Sequence, residues 1–298
     1  MLNRKLNVIL NGGLGNQLFI YCAAKTFAEL NNINKVIYYS NADILNNVKS
    51  LNDYIDRFNI ISPKKNKIFN KIYIYLKCKF LKKVINDKSK IGKYDNYKNF
   101  TIDGYFQEPK WYKHSLKIVL GEFFTNKFSN SLNKQAFYDV VISFRRTDYK
   151  EYGWCINLNY YFKALRQLKV SKKEKIKVIS DDDKFSRYFE NLLVKKGYSV
   201  YKNSKKRSQK LDIKKKNNIK SKSKDNFLAL IKSKKLIMSN SSFSWWAAVF
   251  RHKLNLKDNK VVCPKKWFPN DKKITKFDIS KHPGKPLNWK YVNNDFEN

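Results

Sequence analysis

A chain of 298 residues with 42% hydrophobic side chains can bury one large core or two medium ones, which excludes a disordered chain or a small disulfide-stapled scaffold. A formal net charge of +39 fits phosphorylated small molecules, nucleic acid or an anionic membrane surface as partners, and charge alone does not choose among them. Four scattered cysteines (Cys22, Cys78, Cys155, Cys263) without a C-x-x-C pair argue for reduced thiols, and three histidines without an H-x-x-x-H pair argue against a metallohydrolase.

Met1 to Lys5 is polar and leads into a short apolar strand, Leu6 to Leu10, too brief for a membrane anchor or signal peptide, so a cytoplasmic location is expected. A glycine loop, Gly12 to Gln17, follows, and Gln17 to Leu30 has helical apolar spacing. With a strand at Lys35 to Tyr39, this is the first half of a Rossmann-like unit. Lys64 to Lys90 reads as helical, and Phe100 to Trp111 contains the compact motif Asp103-Gly104-Tyr105-Phe106-Gln107.

A second series opens with a strand at Asp139 to Phe144 and continues through a helix at Leu158 to Leu168 and a strand at Lys175 to Ser180. Asp181-Asp182-Asp183 starts another helix, and Phe227 to Lys234 gives one more helix and Lys235 to Ser239 one more strand. Two such series predict two α/β domains with a cleft between them, residues 1–135 and 136–298. Between Lys202 and Lys224 stand eleven Lys or Arg and one Asp, a pattern that reads as a solvated loop.

The chemistry concentrates in three places. In Ser239-Asn240-Ser241-Ser242-Phe243-Ser244-Trp245-Trp246, hydroxyls and free backbone N–H groups at a strand-to-helix turn form an anion cradle aided by the helix dipole. Gly13-x-Gly15 lacks the third glycine of a dinucleotide fingerprint, yet it allows positive φ and close backbone approach, while Asn16 and Gln17 bring two amides to a helix start. Arg145 and Arg146 end an apolar strand, where α/β sheets bind ligands; strand alternation would aim one at a diphosphate and pair the other, Arg146, with Asp148. Structural readings stand beside these: a plain helix cap at the glycines, surface ion pairs at the arginines, a cap rather than a metal site at Asp181 to Asp183, and core packing for Trp245 and Trp246.

Together, Asn11 to Phe19, Asp103 to Gln107, Ser143-Phe144-Arg145-Arg146-Thr147-Asp148-Tyr149 and Ser239 to Ala248 resemble the bacterial α-1,2-fucosyltransferases of glycosyltransferase family 11. Smaller matches at Tyr54 to Ile60, Val178 to Asp182 and Cys263 to Phe268 extend the resemblance along the chain. It implies a GT-B fold, two Rossmann-like domains facing across a cleft, and inverting transfer of fucose from GDP-fucose to the 2-hydroxyl of a galactosyl residue without metal or cofactor. The acceptor implied is a galactose-terminated oligosaccharide or lipid-linked surface glycan. By the same resemblance Arg145 holds the β-phosphate with Arg146 in support, Ser241, Ser242, Phe243 and Ser244 line the diphosphate, Asp225 reads guanine, and Asn16 meets the donor phosphate or acceptor. Gly13, Gly15, Gln17, Asp103 and Ser143 complete the expected site, with Asp148 and Asp103 as alternative bases.

The chain departs from the family pattern H-x-R-R-G-D at Ser143 and Thr147, and Lys224 stands where an acidic neighbour of Asp225 is usual. A different GDP-sugar, an inactive homologue and a nucleic-acid-binding protein are the other readings. The basic stretch 202–224 has no interleaved aromatics, which disfavours specific nucleic acid. It would instead suit an anionic membrane face, making the protein peripheral to the inner side of the membrane.

Overall fold

The computed structural model describes residues 4–40, 60–61, 76, 82–123, 126–134, 137–201, 214–254, 260–269 and 289–297. The chain divides into two compact units between Asn130 and Ser131. The expected features at Tyr54–Asn59, most of the lysine- and isoleucine-rich stretch, and 202–213 lie outside the described residues.

In the first unit, strands β1 (Lys5–Leu10), β2 (Lys35–Ser40), β3 (Ile60–Ile61), β4 (Lys83–Ile85) and β5 (Asn99–Ile102) form one sheet in the order β3-β2-β1-β5-β4. Every pairing is parallel. Parallel strands are covered on both faces, and β1 accordingly buries Leu6, Val8, Ile9 and Leu10 in succession. The polar interruption, Asn7, is satisfied by donating to the Phe100 carbonyl at 3.1 Å. Helix α1 (Leu14–Leu30) is apolar around most of its circumference, as befits a buried helix, and its Phe27 meets Phe100 edge-on at 5.2 Å. Short helices α2 (Pro109–Tyr112) and α3 (Leu116–Phe123) follow, and α4 (Asn126–Lys134) runs across the division between units. One expectation fails here: the end of the supposed helix at Lys64 to Lys90 is strand β4, because Val84 and Ile85 pair with Thr101 and Ile102.

The second unit carries β6 (Tyr138–Phe144), β7 (Lys175–Ser180), β8 (Ser199–Val200), β9 (Ser233–Ile237), β10 (Lys260–Pro264) and β11 (Trp289–Val292). Their spatial order is β8-β7-β6-β9-β10-β11, again all parallel. Counted within the unit, that is the Rossmann order 3-2-1-4-5-6, whose direction of winding reverses between β6 and β9. Helices α5 (Thr147–Glu151), α6 (Leu158–Gln167), α7 (Asp183–Lys195), α8 (Lys214–Ile231) and α9 (Ser242–Lys253) complete the unit. Phe144, Tyr160, Tyr161, Phe189 and Leu193 sit in its core, with the Phe144 and Tyr161 rings 3.9 Å apart. Trp245 and Trp246 are fully buried in edge contact with each other, so they are core residues. The basic stretch expected to be a solvated loop is helical from Lys214 onward, continuous with the apolar turn Phe227 to Ile231 that packs inside.

The fold class is therefore α/β, two Rossmann-like units in succession, the pair from which a GT-B chain is made. No helix among the described residues is long and apolar enough to cross a membrane.

Candidate functional site

In open α/β sheets ligands bind beyond the carboxyl ends of the strands where the winding reverses. In the second unit that edge carries Arg145 and Arg146 after β6, and Ser239 to Ser242 after β9, while Ile142 pairs with Ile237 just behind them. The Tyr149 hydroxyl ties the two loops together by donating to the Asn240 carbonyl at 3.1 Å.

β6 ends at Phe144 and α5 starts at Thr147, so helical rather than strand spacing governs the arginine motif. Asp148 consequently pairs with Arg145, at 2.9 Å, and not with Arg146 as strand alternation suggested. A second carboxylate, Asp181 at the end of β7, holds the other end of the same guanidinium at 2.9 Å. Burial works against the Arg145 charge, but Asp181 and Asp148 outweigh it and leave its pKa above the ordinary arginine value. The side chain remains 37% exposed, a planar fork of donors fixed at the open edge.

Asp181 is more than a partner to Arg145. It also accepts from the backbone N–H of Arg146 at 2.8 Å and from the Thr147 hydroxyl at 2.7 Å. Thr147, where the family pattern has glycine, thus adds a hydroxyl to the loop's support. Arg146 is itself buried, its guanidinium 3.8 Å above the Phe185 ring and 2.6 Å from Glu297. Ser143, buried within β6, lies just behind both arginines.

Asp182 caps α7 by accepting from the Phe185 N–H at 3.0 Å, and Lys150 approaches it at 2.7 Å. Asp183 stands in the first turn of that helix. The aspartate run is therefore a cap and an arginine brace, and no group of three or more metal-ligating side chains gathers among the described residues. The bond from Lys150, followed by that from Phe185 N–H, holds the Asp182 carboxyl below its usual range. A depressed carboxylate contributes stability that is present above the unfolded pKa and is lost as pH falls through the folded one. Asp182→Ala is thus expected to cost about 1 kcal/mol at neutral pH from the lost cap, whereas Asp182→Asn keeps a cap and loses part of the acid sensitivity. Thermal unfolding of the three proteins at neutral and acid pH distinguishes the two effects.

On the β9 side, Ser241 accepts from the Phe243 N–H at 3.3 Å and begins α9, with partly exposed Ser242 as its first residue. The start of α9, with the positive end of its helix dipole, lies at the same edge. Two neighbours expected to line a diphosphate are otherwise engaged. Ser244 is fully buried and donates to the carbonyls of Ser239 and Ser241, and the Phe243 ring packs 5.1 Å from Phe227. Asn240 fastens the loop from beneath through its amide, which donates to the carbonyls of Trp154 and Trp267.

The first unit has a polar cluster at its own reversal, between β1 and β5. Asn11 donates to Asp103 at 3.3 Å, and Gln107 donates to Asn16 at 3.0 Å, so the glycine loop and the Asp103 to Gln107 motif meet at one sheet edge. The glycine needed for positive φ is Gly12, at +69°, where a Cβ would come within 2.6 Å of the Asn16 amide nitrogen. Gly13 has a φ of −72° and Gly15 is buried in the first turn of α1, so neither supplies the left-handed residue. Gln17 is buried and braces the loop by donating to the Gly12 carbonyl at 2.9 Å. Asp87, unremarked in the sequence, accepts from the N–H groups of Tyr105 and Phe106 at 3.0 and 2.5 Å.

The model of a family described as Glycosyl transferase family 11 matches residues 2–293. The chain belongs to glycosyl transferase family 11. The O-antigen biosynthesis glycosyltransferase WbnK of Escherichia coli is 25% identical to it over 313 residues, covering 89% of this chain and 95% of WbnK. Among solved structures, the fucosyltransferase NodZ from Bradyrhizobium is similar at a TM-score of 0.47 and 10% identity, over 83% of this chain and 93% of that one. The E. coli heptosyltransferase WaaC with ADP is similar at a TM-score of 0.46 and 8% identity, over 97% and 93%.

In this family 11 chain the structure brings together Ser143, Arg145, Arg146, Asp148, Ser241 and Ser242 on one unit, and Asn16, Gln17 and Asp103 on the other. Asp225 stands exposed on α8, apart from the hydrogen-bonded network around Arg145, while Lys224 bonds Ser131 at 2.9 Å. Asp181 as the hub of that network and Glu297 as the partner of Arg146 were not legible beforehand. Asp181 read as one of three equivalent acids, and Glu297 lies 151 residues from its partner.

Proposed function

We propose that this glycosyltransferase moves L-fucose from GDP-fucose to the 2-hydroxyl of a galactosyl residue in a surface glycan, with inversion and without a metal ion. One observation carries the reading: Arg145, fixed by Asp148 and Asp181, shares the open sheet edge with Ser241, Ser242 and the start of α9. As the bond from sugar to phosphate breaks, negative charge grows on GDP, and preorganised arginine and hydroxyl donors stabilise it without reorganising. Arg145 meets the β-phosphate, Arg146 supports it from within the fold, and Ser241 and Ser242 receive the remaining phosphate oxygens. The second unit thus takes the donor and the first takes the acceptor, with Asn16 contacting phosphate or acceptor sugar. Both Asp148 oxygens lie close to Arg145, which leaves Asp103, held by Asn11, as the base for the acceptor hydroxyl. A surface glycan as acceptor draws on the likeness to WbnK, whose name assigns it to O-antigen biosynthesis.

Calorimetric titration in excess EDTA with GDP, GDP-fucose and GDP-mannose tests the donor half. Micromolar GDP binding, and transfer from GDP-fucose alone to β-galactosides, is the expected result. Preference for GDP-mannose would transfer the reading to another sugar, and no binding of any guanosine diphosphate would overturn it.

A further inference from the structure

Arg146 presents a buried charge in need of an explanation. The residue is 8% exposed, its Nε has no hydrogen-bond partner among the described residues, and its Nη1 donates to Glu297 at 2.6 Å. Glu297 does not arrive by chance. The segment that carries it is stitched along the chain just after α5: Asn157 N–H donates to the Asp295 carbonyl at 2.9 Å, Glu297 N–H donates to the Cys155 carbonyl at 2.8 Å, and Ile156 and Phe296 form an antiparallel bridge between them. Phe296 packs against the core of the unit, and Asn294 exchanges two hydrogen bonds with the backbone of Lys266. Backbone hydrogen bonds on both sides of the bridge thus hold Glu297 beside the segment 155–157.

We infer that Glu297 is a positioning residue for the donor site, acting through Arg146 on Arg145. The inference rests on the function proposed above. Arg146 is anchored at both ends, its guanidinium by Glu297 and Phe185 and its backbone N–H by Asp181, which also holds Arg145. Without Glu297 the guanidinium is a desolvated charge with no carboxylate at 2.6 Å, and its escape toward water pulls on residues 145–147. Arg145 then loses its aim at the departing phosphate. The family model matches residues 2–293, so Glu297 lies beyond the last matched residue.

Glu297→Gln and Glu297→Ala in the full chain test this by steady-state transfer from GDP-fucose, with melting temperature measured alongside. An ångström of misplacement affects the reacting geometry far more than ground-state binding, so kcat is expected to fall about tenfold or more in the alanine variant while KM for the donor stays within about threefold. Glutamine, which keeps an acceptor oxygen, should lose less. A purely structural role would lower the melting temperature and leave kcat per folded molecule unchanged, and that result overturns the inference while leaving the proposed function standing. Wild-type protein that neither binds GDP nor transfers fucose overturns the function and this inference with it.

Discussion

Arg145→Ala is expected to slow transfer from GDP-fucose by about a hundred- to a thousandfold, the loss of about 3 to 4 kcal/mol typical of removing one fixed donor to a developing anion. The substitution does more than delete a donor. Asp148 and Asp181 both lie 2.9 Å from the guanidinium, so its removal leaves two carboxylates facing the proposed phosphate position. GDP affinity should therefore fall together with kcat, in contrast to the Glu297 variants. Arg145→Lys restores the charge but cannot span both carboxylates and a phosphate with a single ammonium, and it should recover only a small part of the rate. In the double variant Arg145→Ala, Asp148→Asn, one repulsive charge is gone, so GDP binding should improve over the single variant while turnover does not. Turnover within about threefold of wild type in Arg145→Ala would remove Arg145 from the transition state altogether.

Much of the candidate site's layout could be read from the residues because its pattern is local. A strand followed at once by two arginines, and a strand followed by serines and a helix, each announce what stands at a sheet edge, and β6, β7 and β9 lie within two residues of where apolar runs placed them. Strand order is a different matter. Which edges adjoin depends on pairings such as β6 with β9, separated by nearly a hundred residues, and no local pattern encodes them. Errors arose where two periods compete over a few residues. Reading Arg145 to Asp148 as extended paired Asp148 with Arg146, whereas the chain turns helical one residue after Arg146. Val84 and Ile85 sit in a lysine-rich stretch with helical composition, yet pairing with β5 makes them a strand, since tertiary contacts override propensity. Ser244 looked like a ligand because serines cluster there, but the first turn of α9 turns it inward.

Arg251 ties α9 to β9 behind the Ser239 to Ser242 turn, and it gives the largest expected change in stability. It is fully buried near the end of α9, and its guanidinium donates to the carbonyls of Leu230 and Ile231 in the last turn of α8, then to the carbonyls of Ser233 and Lys234 and to the Ser233 hydroxyl at the start of β9. The negative end of the α8 dipole and several carbonyl oxygens thus take the place of a carboxylate. Burial pushes this guanidinium down to about 9, still charged at neutral pH. Arg251→Met keeps much of the volume but leaves the carbonyls at the α8 to β9 junction without their donor, each such orphan costing about 1 to 3 kcal/mol where water cannot reach it. Partial relaxation of that junction brings the expected loss to about 3 to 5 kcal/mol, comparable with breaking other buried charged networks. For a unit of this size that lowers Tm by roughly 10 °C. Arg251→Lys retains one charged donor and should lose less. Because α9 begins at Ser242 and β9 ends at Ile237, loosening this junction should also weaken GDP binding at temperatures where the protein is still folded. A calorimetric scan of Arg251→Met with Tm within 2 °C of wild type, roughly the shift from 1 kcal/mol or less, would show that the buried charge is dispensable and that packing alone holds α9 against β9.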